Sequence, residues 1–527
     1  MTYHVVAALL DVRLLPPPIL RRTTMSEKKI KGFAENPPII RLEKITIENF
    51  RGVSYGEVEL NPYKKTNPYG VSADILGLYG QNGSGKSAVI EALQIVKTLM
   101  SGSELVDPFL PEEIKKGADH SRFEFVFDIK SSDYSDSLKA VYSFCISAKE
   151  AVDANQEMLK AVSLATDALT RIAEENFTSI NPENFKQGVR VYNESISFSG
   201  VVNEKLIKLQ KFIDTSTTSF PFGPASKHKY FFNPASKDDI ISLEVNKRMA
   251  SKSSQSFIFM PETLNLFMEK HNEVSIYLIA LYYLFRFASN NLEVVNTQHV
   301  TGDPRGNMFL AMHSLSQNVP ETYLINTVGF DTYDSDTFAL IHDELEKISD
   351  VLEQIVPGLR LELRESTRST RSDGKEYKES YVIVKRDGLE LPIRNESDGI
   401  RKIISVLALY ISAYNDPTVT VAIDEFDAGV FEYLLGELLQ VFQEHGKGQL
   451  IFTSHNLRPL EILKKEYVCF TTTNKENAYI RLKHIGATNN LRNVYIREIL
   501  LNEQDEELYR ATKEYKIVAA LRKVGAK

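Results

Sequence analysis

Eight consecutive residues, Gly80-Gln81-Asn82-Gly83-Ser84-Gly85-Lys86-Ser87, constrain this chain more than any others. They follow Ile75-Leu76-Gly77-Leu78-Tyr79, which reads as a short buried strand, and they precede Val89, Leu93 and Val96 at helical spacing. Strand, glycine loop and helix in that order form the context that a phosphate-binding loop requires. The glycines let backbone N–H groups converge on anionic oxygens, and the helix N-terminus adds its partial positive charge. Gly80, Asn82, Gly83, Ser84 and Gly85 therefore read as the cradle. Lys86 is placed to contact the terminal phosphates of a nucleotide, and Ser87 to ligate Mg²⁺.

A second constellation narrows the chemistry. Val421-Ala422-Ile423 is an apolar strand that ends in two adjacent carboxylates, Asp424 and Glu425. Beside a phosphate loop, Asp424 can stand next to Mg²⁺, and Glu425 can act as general base on the attacking water or polarise it. Asp427-Ala428-Gly429 follows at once. His455 sits just beyond the next buried strand, Gln449 to Thr453, at the carboxyl edge where open α/β sheets bind their ligands. Its order after the paired acids points to a γ-phosphate sensor.

Length and composition set outer bounds. A chain of 527 residues is too long for one ordinary core, and 43% hydrophobic with 25% charged residues is a globular composition. A net charge of -8 argues against a wholly basic nucleic-acid coat, although a local basic groove stays open. Cys145 and Cys469 are too few for a disulfide framework or a cysteine-based zinc site, which fits a reducing, cytoplasmic setting. No apolar run approaches the roughly 20 residues needed to cross a bilayer, so no membrane association is expected. The first 24 residues, with Pro16-Pro17-Pro18, are expected to be a disordered extension or an upstream start that is not used.

Strands are expected at Leu42 to Phe50 and Val58 to Leu60, and a strand pair at Phe123 to Ile129 and Ala140 to Ile146. Helices are expected at Ala148 to Glu175, at Glu204 to Ile213 and, as one long element, at Glu262 to Phe287. Strands return at Arg360 to Arg364, Ser380 to Arg386 and Leu389 to Ile393, with Asp387-Gly388 as a hairpin turn. A helix then runs from Ile400 through Tyr410. The resulting division is 25–148 and 356–480 as two parts of one α/β head, 149–355 as a mostly helical insertion, and 481–527 as a C-terminal helical segment.

The order of these motifs resembles the ATPase heads of the ABC type, in the branch shared by RecF, SMC-like proteins and the overcoming-lysogenization-defect (OLD) nucleases. Ile45-Thr46-Ile47-Glu48-Asn49-Phe50-Arg51-Gly52 is similar to the opening strand of that branch. The resemblance implies an ABC-type head, a mixed sheet around a phosphate-loop core, using ATP and Mg²⁺. It places Asn395-Glu396-Ser397-Asp398-Gly399-Ile400 at the signature-motif position, where Ser397 and Gly399 bind the nucleotide of a second protomer. A homodimer or higher even oligomer through ATP-sandwiched heads is thereby implied. Asp398 departs from the family's glycine, and Pro111 to Ser121 offers no clear match for the glutamine that the family uses beside Mg²⁺.

Three uses of such a head compete. A DNA-repair or chromosome-structure ATPase with a long arm needs sustained heptads between Ser87 and Ser397, and these are not found. An OLD-type fusion needs TOPRIM carboxylates beyond the ATPase core, where Glu503 to Glu507 reads as an exposed helix. The third is a stand-alone ATPase that resembles those of the Septu, retron-Septu and Paris anti-phage systems and acts with a separate HNH or TOPRIM nuclease. That last reading rests on analogy. Nucleic acid is a possible partner. Its candidate contacts are Lys205, Lys208 and Lys211, read on a helix, and Arg364, Arg368, Arg371, Lys375 and Lys378, read in a loop; a solvated face is the competing reading for both sets.

Overall fold

The computed structural model describes residues 38–60, 73–130, 137–149, 188–202, 205–217, 221–231, 236–269, 275–296, 309–313, 322–326, 329–371, 374–483, 490–501 and 504–525. The expected extension at 1–24, and the expected helix at Ala148 to Glu175 apart from Ala148 and Lys149, which are not helical, lie outside the described residues.

Alternation of apolar and polar residues gives β1 (Ile39–Phe50) and β2 (Val53–Glu59). The wholly buried β3 (Asp74–Tyr79) runs into the glycine loop, and α1 (Lys86–Met100) leaves it. Next come β4 (Ser121–Lys130), β5 (Ser137–Ala148), β6 (Val189–Val202) and β7 (Lys205–Asp214). With β1 and β2 they form an antiparallel sheet in the order β2-β1-β4-β5-β6-β7. Aromatic residues fill its inner face. Phe144 stacks on Phe123 at 5.3 Å and on Phe125 at 6.2 Å.

After β7 the chain forms α2 (Lys237–Lys252), α3 (Pro261–Glu269), α4 (Ile276–Asn290) and β8 (Leu292–Val295). A hairpin, β9 (Phe309–His313) with β10 (Thr322–Asn326), stands apart from the larger sheets. β11 (Asp331–Asp334), α5 (Ser335–Ile355), β12 (Leu359–Thr370), β13 (Glu376–Arg386) and β14 (Leu389–Pro392) follow, the strands forming an antiparallel sheet. The expected turn at Asp387-Gly388 is present, with φ of 50° and 79°.

The chain then returns to α/β: α6 (Asp398–Asn415), β15 (Thr420–Ile423), α7 (Glu432–His445), β16 (Gln449–Thr453), β17 (Val468–Thr471), β18 (Tyr479–Ile480), α8 (Leu491–Leu501) and α9 (Glu514–Gly525). The second large sheet has the order β18-β17-β3-β16-β15-β8, and every pairing but β17–β18 is parallel. Both faces of a parallel sheet must be covered. Leu76, Leu78, Ala422 and Ile451 face α1, α4 and the antiparallel sheet. Ile75, Tyr79, Val421, Ile423, Leu450 and Phe452 face α6 and α7.

The α/β class stands, and the described residues of the expected helical insertion carry strands as well as helices. The helix expected at Glu204 to Ile213 is, over its described residues, the strand β7. Backbone pairing with β6 and burial of Phe212 and Ile213 decide the matter over local propensity. Glu262 to Phe287 is two helices, because Ser275 caps the second by accepting from Leu278 N–H. β8 belongs to the parallel core sheet, so the expected insertion contains one of the head's own strands. Glu506 and Glu507 are not helical. Glu506 accepts from Asn474 and Asn477, and Glu507 from Thr473.

The basic candidates change character too. Lys205, Lys208 and Lys211 lie on an edge strand, with Lys211 paired to Asp214 at 2.7 Å. Arg364, Arg368 and Lys378 are strand residues in cross-strand ion pairs with Glu390, Glu376 and Glu365, and Arg371 lies over the Tyr377 ring. Among the described residues no helix is long and apolar enough to cross a membrane.

Candidate functional site

The carboxyl edge of the parallel sheet gathers the loops that leave β3, β15 and β16. The phosphate loop needs glycine where it bends. Gly80 has φ of 153°, and a Cβ there would stand 1.8 Å from Thr471 Oγ1; Gly85 has φ of 104° and presses on Val53. Thr471 Oγ1 donates to Tyr79 O at 3.2 Å, and Tyr479 Oη donates to Gly85 O at 2.7 Å. The loop is thus held from behind by β17 and β18. Lys86 folds into its curve, donating to Gly80 O at 2.9 Å and Gln81 O at 3.2 Å. Burial lowers the Lys86 pKa, opposed by Asp424, Asp427 and Glu425.

Asp424 is buried at the tip of β15. Its Oδ1 accepts from Thr453 Oγ1 at 2.5 Å and from Ser87 Oγ at 3.3 Å. The same Thr453 hydroxyl accepts from Glu425 N–H at 2.7 Å. Glu425 is exposed and takes φ of 48°, a left-handed conformation uncommon outside glycine. That bend turns the chain sharply after Asp424, so the two adjacent carboxylates have different settings: one buried and doubly bonded, one solvent-facing.

Asp427 serves the neighbouring loop. Its Oδ2 accepts from the backbone N–H groups of His455 and Asn456 at 3.0 and 2.9 Å. This fixes the start of the segment after β16 and sets where His455 stands. The His455 imidazole has a lowered pKa, first from burial and then from the Lys86 charge. A neutral ring at physiological pH can both donate and accept.

Ser397 caps α6 by accepting from Ile400 N–H at 3.4 Å. Gly399 is packed so closely on the turn after β15 that a Cβ would lie 1.9 Å from Gly429 O. Ser397 and Gly399 therefore join the site through Gly429, whereas Gly80 to Ser87, Asp424, Glu425, Asp427 and His455 meet around the loop itself. Arg51, in the left-handed region at φ of 52°, pairs with Glu91 of α1 and with Glu113 at 2.7 Å. Burial, then the Glu113 charge, push the Glu91 carboxyl up to about 8.

The residues present suit Mg²⁺. Ser87 and Asp424 offer two adjoining hard oxygens, and Mg²⁺ takes few protein ligands, filling the remainder with phosphate oxygens and water. A recess of about 230 Å³ beside the loop, lined by residues including Gly52, Gln81, Gly83, Lys475 and Arg510, adds room next to the phosphate cradle.

Sequence reasoning missed three residues. Thr453 joins both carboxylate positions; its signal was a hydroxyl at the end of a buried strand. Thr471 and Tyr479, which hold the loop, gave no local signal because their contacts with it span 392 and 394 residues of sequence. The strand beside β15 is β8, and its carboxyl end leads into Asn296, whose amide reaches Glu91 Oε1 at 3.5 Å.

A family model described as an AAA ATPase domain (AAA_15) matches residues 41–458. Among curated proteins nothing matches. Solved structures give distant likenesses. An Smc head with an extended coiled coil, bound to the C-terminal domain of ScpA and derived from Pyrococcus furiosus, is 10% identical, with 88% of this chain and 100% of that chain covered and a TM-score of 0.37. The SMC head domain from Thermotoga maritima is 11% identical, with 84% and 100% covered and a TM-score of 0.29. The recombination mediator RecF with ATP is 10% identical, with 79% and 94% covered and a TM-score of 0.30. At such identities and scores, what those proteins bind is a property of those proteins.

Proposed function

The chain belongs to the AAA ATPase domain family, and we propose that it hydrolyses Mg²⁺-ATP between two protomers and, through that assembly, regulates a separate effector nuclease in anti-phage defence. One observation carries the ATPase reading: Ser87 and Thr453 converge on the buried Asp424, next to Lys86, while Glu425 projects from the following residue. Lys86 and the loop amides balance the phosphate charge. Ser87 and Asp424 would hold Mg²⁺, which when bound neutralises charge on the β- and γ-phosphates. Glu425 accepts a proton from, or orients, the water that attacks the γ-phosphorus, and ADP departs with the electron pair of the broken bond.

Ser397 and Gly399 stand at the N-terminus of α6, a position suited to an anionic ligand, and they complete the nucleotide site of a second copy. The pairing of Arg364, Arg368 and Lys378 with carboxylates leaves less free positive charge for DNA on β12 and β13, and the separate effector of the HNH or TOPRIM type rests on the resemblance to anti-phage ATPases.

The test is assembly under ATP. Glu425→Gln is expected to accumulate ATP-bound dimers in size-exclusion chromatography with light scattering. A variant that stays monomeric at saturating ATP sinks the two-protomer site. Steady turnover of the wild-type chain that DNA stimulates would instead favour a repair ATPase of the RecF or SMC-like kind.

A further inference from the structure

Lys402 is an anomaly of α6. The apolar face of that helix, with Ile403, Ile404 and Leu407, packs against the parallel sheet, and yet a lysine is buried with it at 6% exposure. Burying a cation is costly unless it is paired or hydrogen-bonded. The Lys402 Nζ donates to the backbone carbonyl of Asp424 at 3.3 Å, and the carboxylates that act on its charge are Asp424, Glu425 and Asp427. Asp424 is buried with it, so the attraction between these two charges is screened less than a surface pair would be.

The placement matters as much as the charge. Lys402 is one helical turn after Gly399, on the helix that Ser397 caps. The start of α6 is therefore tied to the turn after β15 twice: by the Lys402 bond to Asp424 O, and by the close packing of Gly399 on Gly429 O. The turn between these contacts carries Glu425 and Asp427. Helix start and acidic turn form one mechanical unit.

We propose that Lys402 is a positioning residue that couples a protomer's own hydrolytic turn to the helix end it presents to the partner's nucleotide. This rests on the two-protomer reading above. Lys402 touches neither nucleotide; it sets the distance between Glu425 and Ser397, so that one site is competent only when the other is engaged.

The experiment compares the full-length wild-type chain with Lys402→Met, which keeps most of the side chain's length and removes its charge. Affinity for a fluorescent ATP analogue is expected to change by less than about twofold, because the Lys86 cradle is intact. The hydrolysis rate is expected to fall at least about tenfold, and its dependence on ATP to lose cooperativity, with fewer ATP-dependent dimers. Unchanged rate, cooperativity and dimerisation overturn the proposal. So does a parallel loss of nucleotide affinity and thermal stability, which is the signature of a merely structural lysine. A wild-type chain that neither dimerises nor hydrolyses ATP overturns the underlying reading first, and is distinguishable because it requires no variant.

Discussion

The two six-stranded sheets of this chain do different work with different materials. The antiparallel sheet is held by rings, with Phe123, Phe125 and Phe144 stacked on one face and Phe127 edge-on to Phe287 at 6.0 Å. The parallel sheet ends in polar atoms joined by a few directed hydrogen bonds, such as the Thr453 hydroxyl that bridges Asp424 and Glu425. Rings spread their energy over many contacts and tolerate small shifts. A hydroxyl between two backbone-fixed groups does not. The difference teaches that stability and chemistry are separable here, and substitutions can separate them.

The largest effect expected is at Lys86. Lys86→Ala should weaken ATP binding by more than about a hundredfold, since hydrogen bonds to charged groups each contribute about 1.5–3 kcal/mol. The midpoint of chemical denaturation should hardly move, and calorimetric titration checks the affinity. Undiminished binding would remove the loop from its role. Phe125→Ala is the opposite case. It should cost about 3–5 kcal/mol of stability in urea denaturation, while the protein that remains folded binds ATP as before. A large loss of affinity in that variant would break the separation. Thr453→Val tests the boundary and should be the smallest. Leaving the Glu425 N–H and Asp424 Oδ1 short of a partner should cost about 1–3 kcal/mol and slow hydrolysis, with ATP affinity nearly unchanged.

The same contrast governs what could be read from the sequence. The phosphate loop, the paired acids of β15, the strand β16 and the turn at Asp387-Gly388 were legible because each is specified by neighbours in the chain: glycines that permit a bend, an apolar run, an acid pair. β7 was not legible. Its lysines at 205, 208 and 211 repeat as a helix would, and only the edge offered by β6 makes the segment extended. β8 was hidden for the same reason, being four residues whose meaning depends on β15. Within the site, Glu425 and His455 were singled out by their position after strands, and both stand near Lys86. The roles of Thr453 and Lys402 depend on which atoms meet across the fold, and no spacing rule encodes that.

One feature of the parallel sheet bears on how the chain is made. β3, which delivers the phosphate loop, lies between β16 and β17, so both of its neighbours are encoded from Gln449 onward. A ribosome adding roughly 5–20 residues per second needs about 20 to 75 seconds to travel from Tyr79 to Gln449. The antiparallel sheet can close long before that, from β1 to β7. From the end of β7 to Gln449 the chain can hold a finished antiparallel sheet while β3 still has no strand partner of its own. The loop as it stands here, backed by Thr471 and Tyr479, is therefore complete only once synthesis has passed β18.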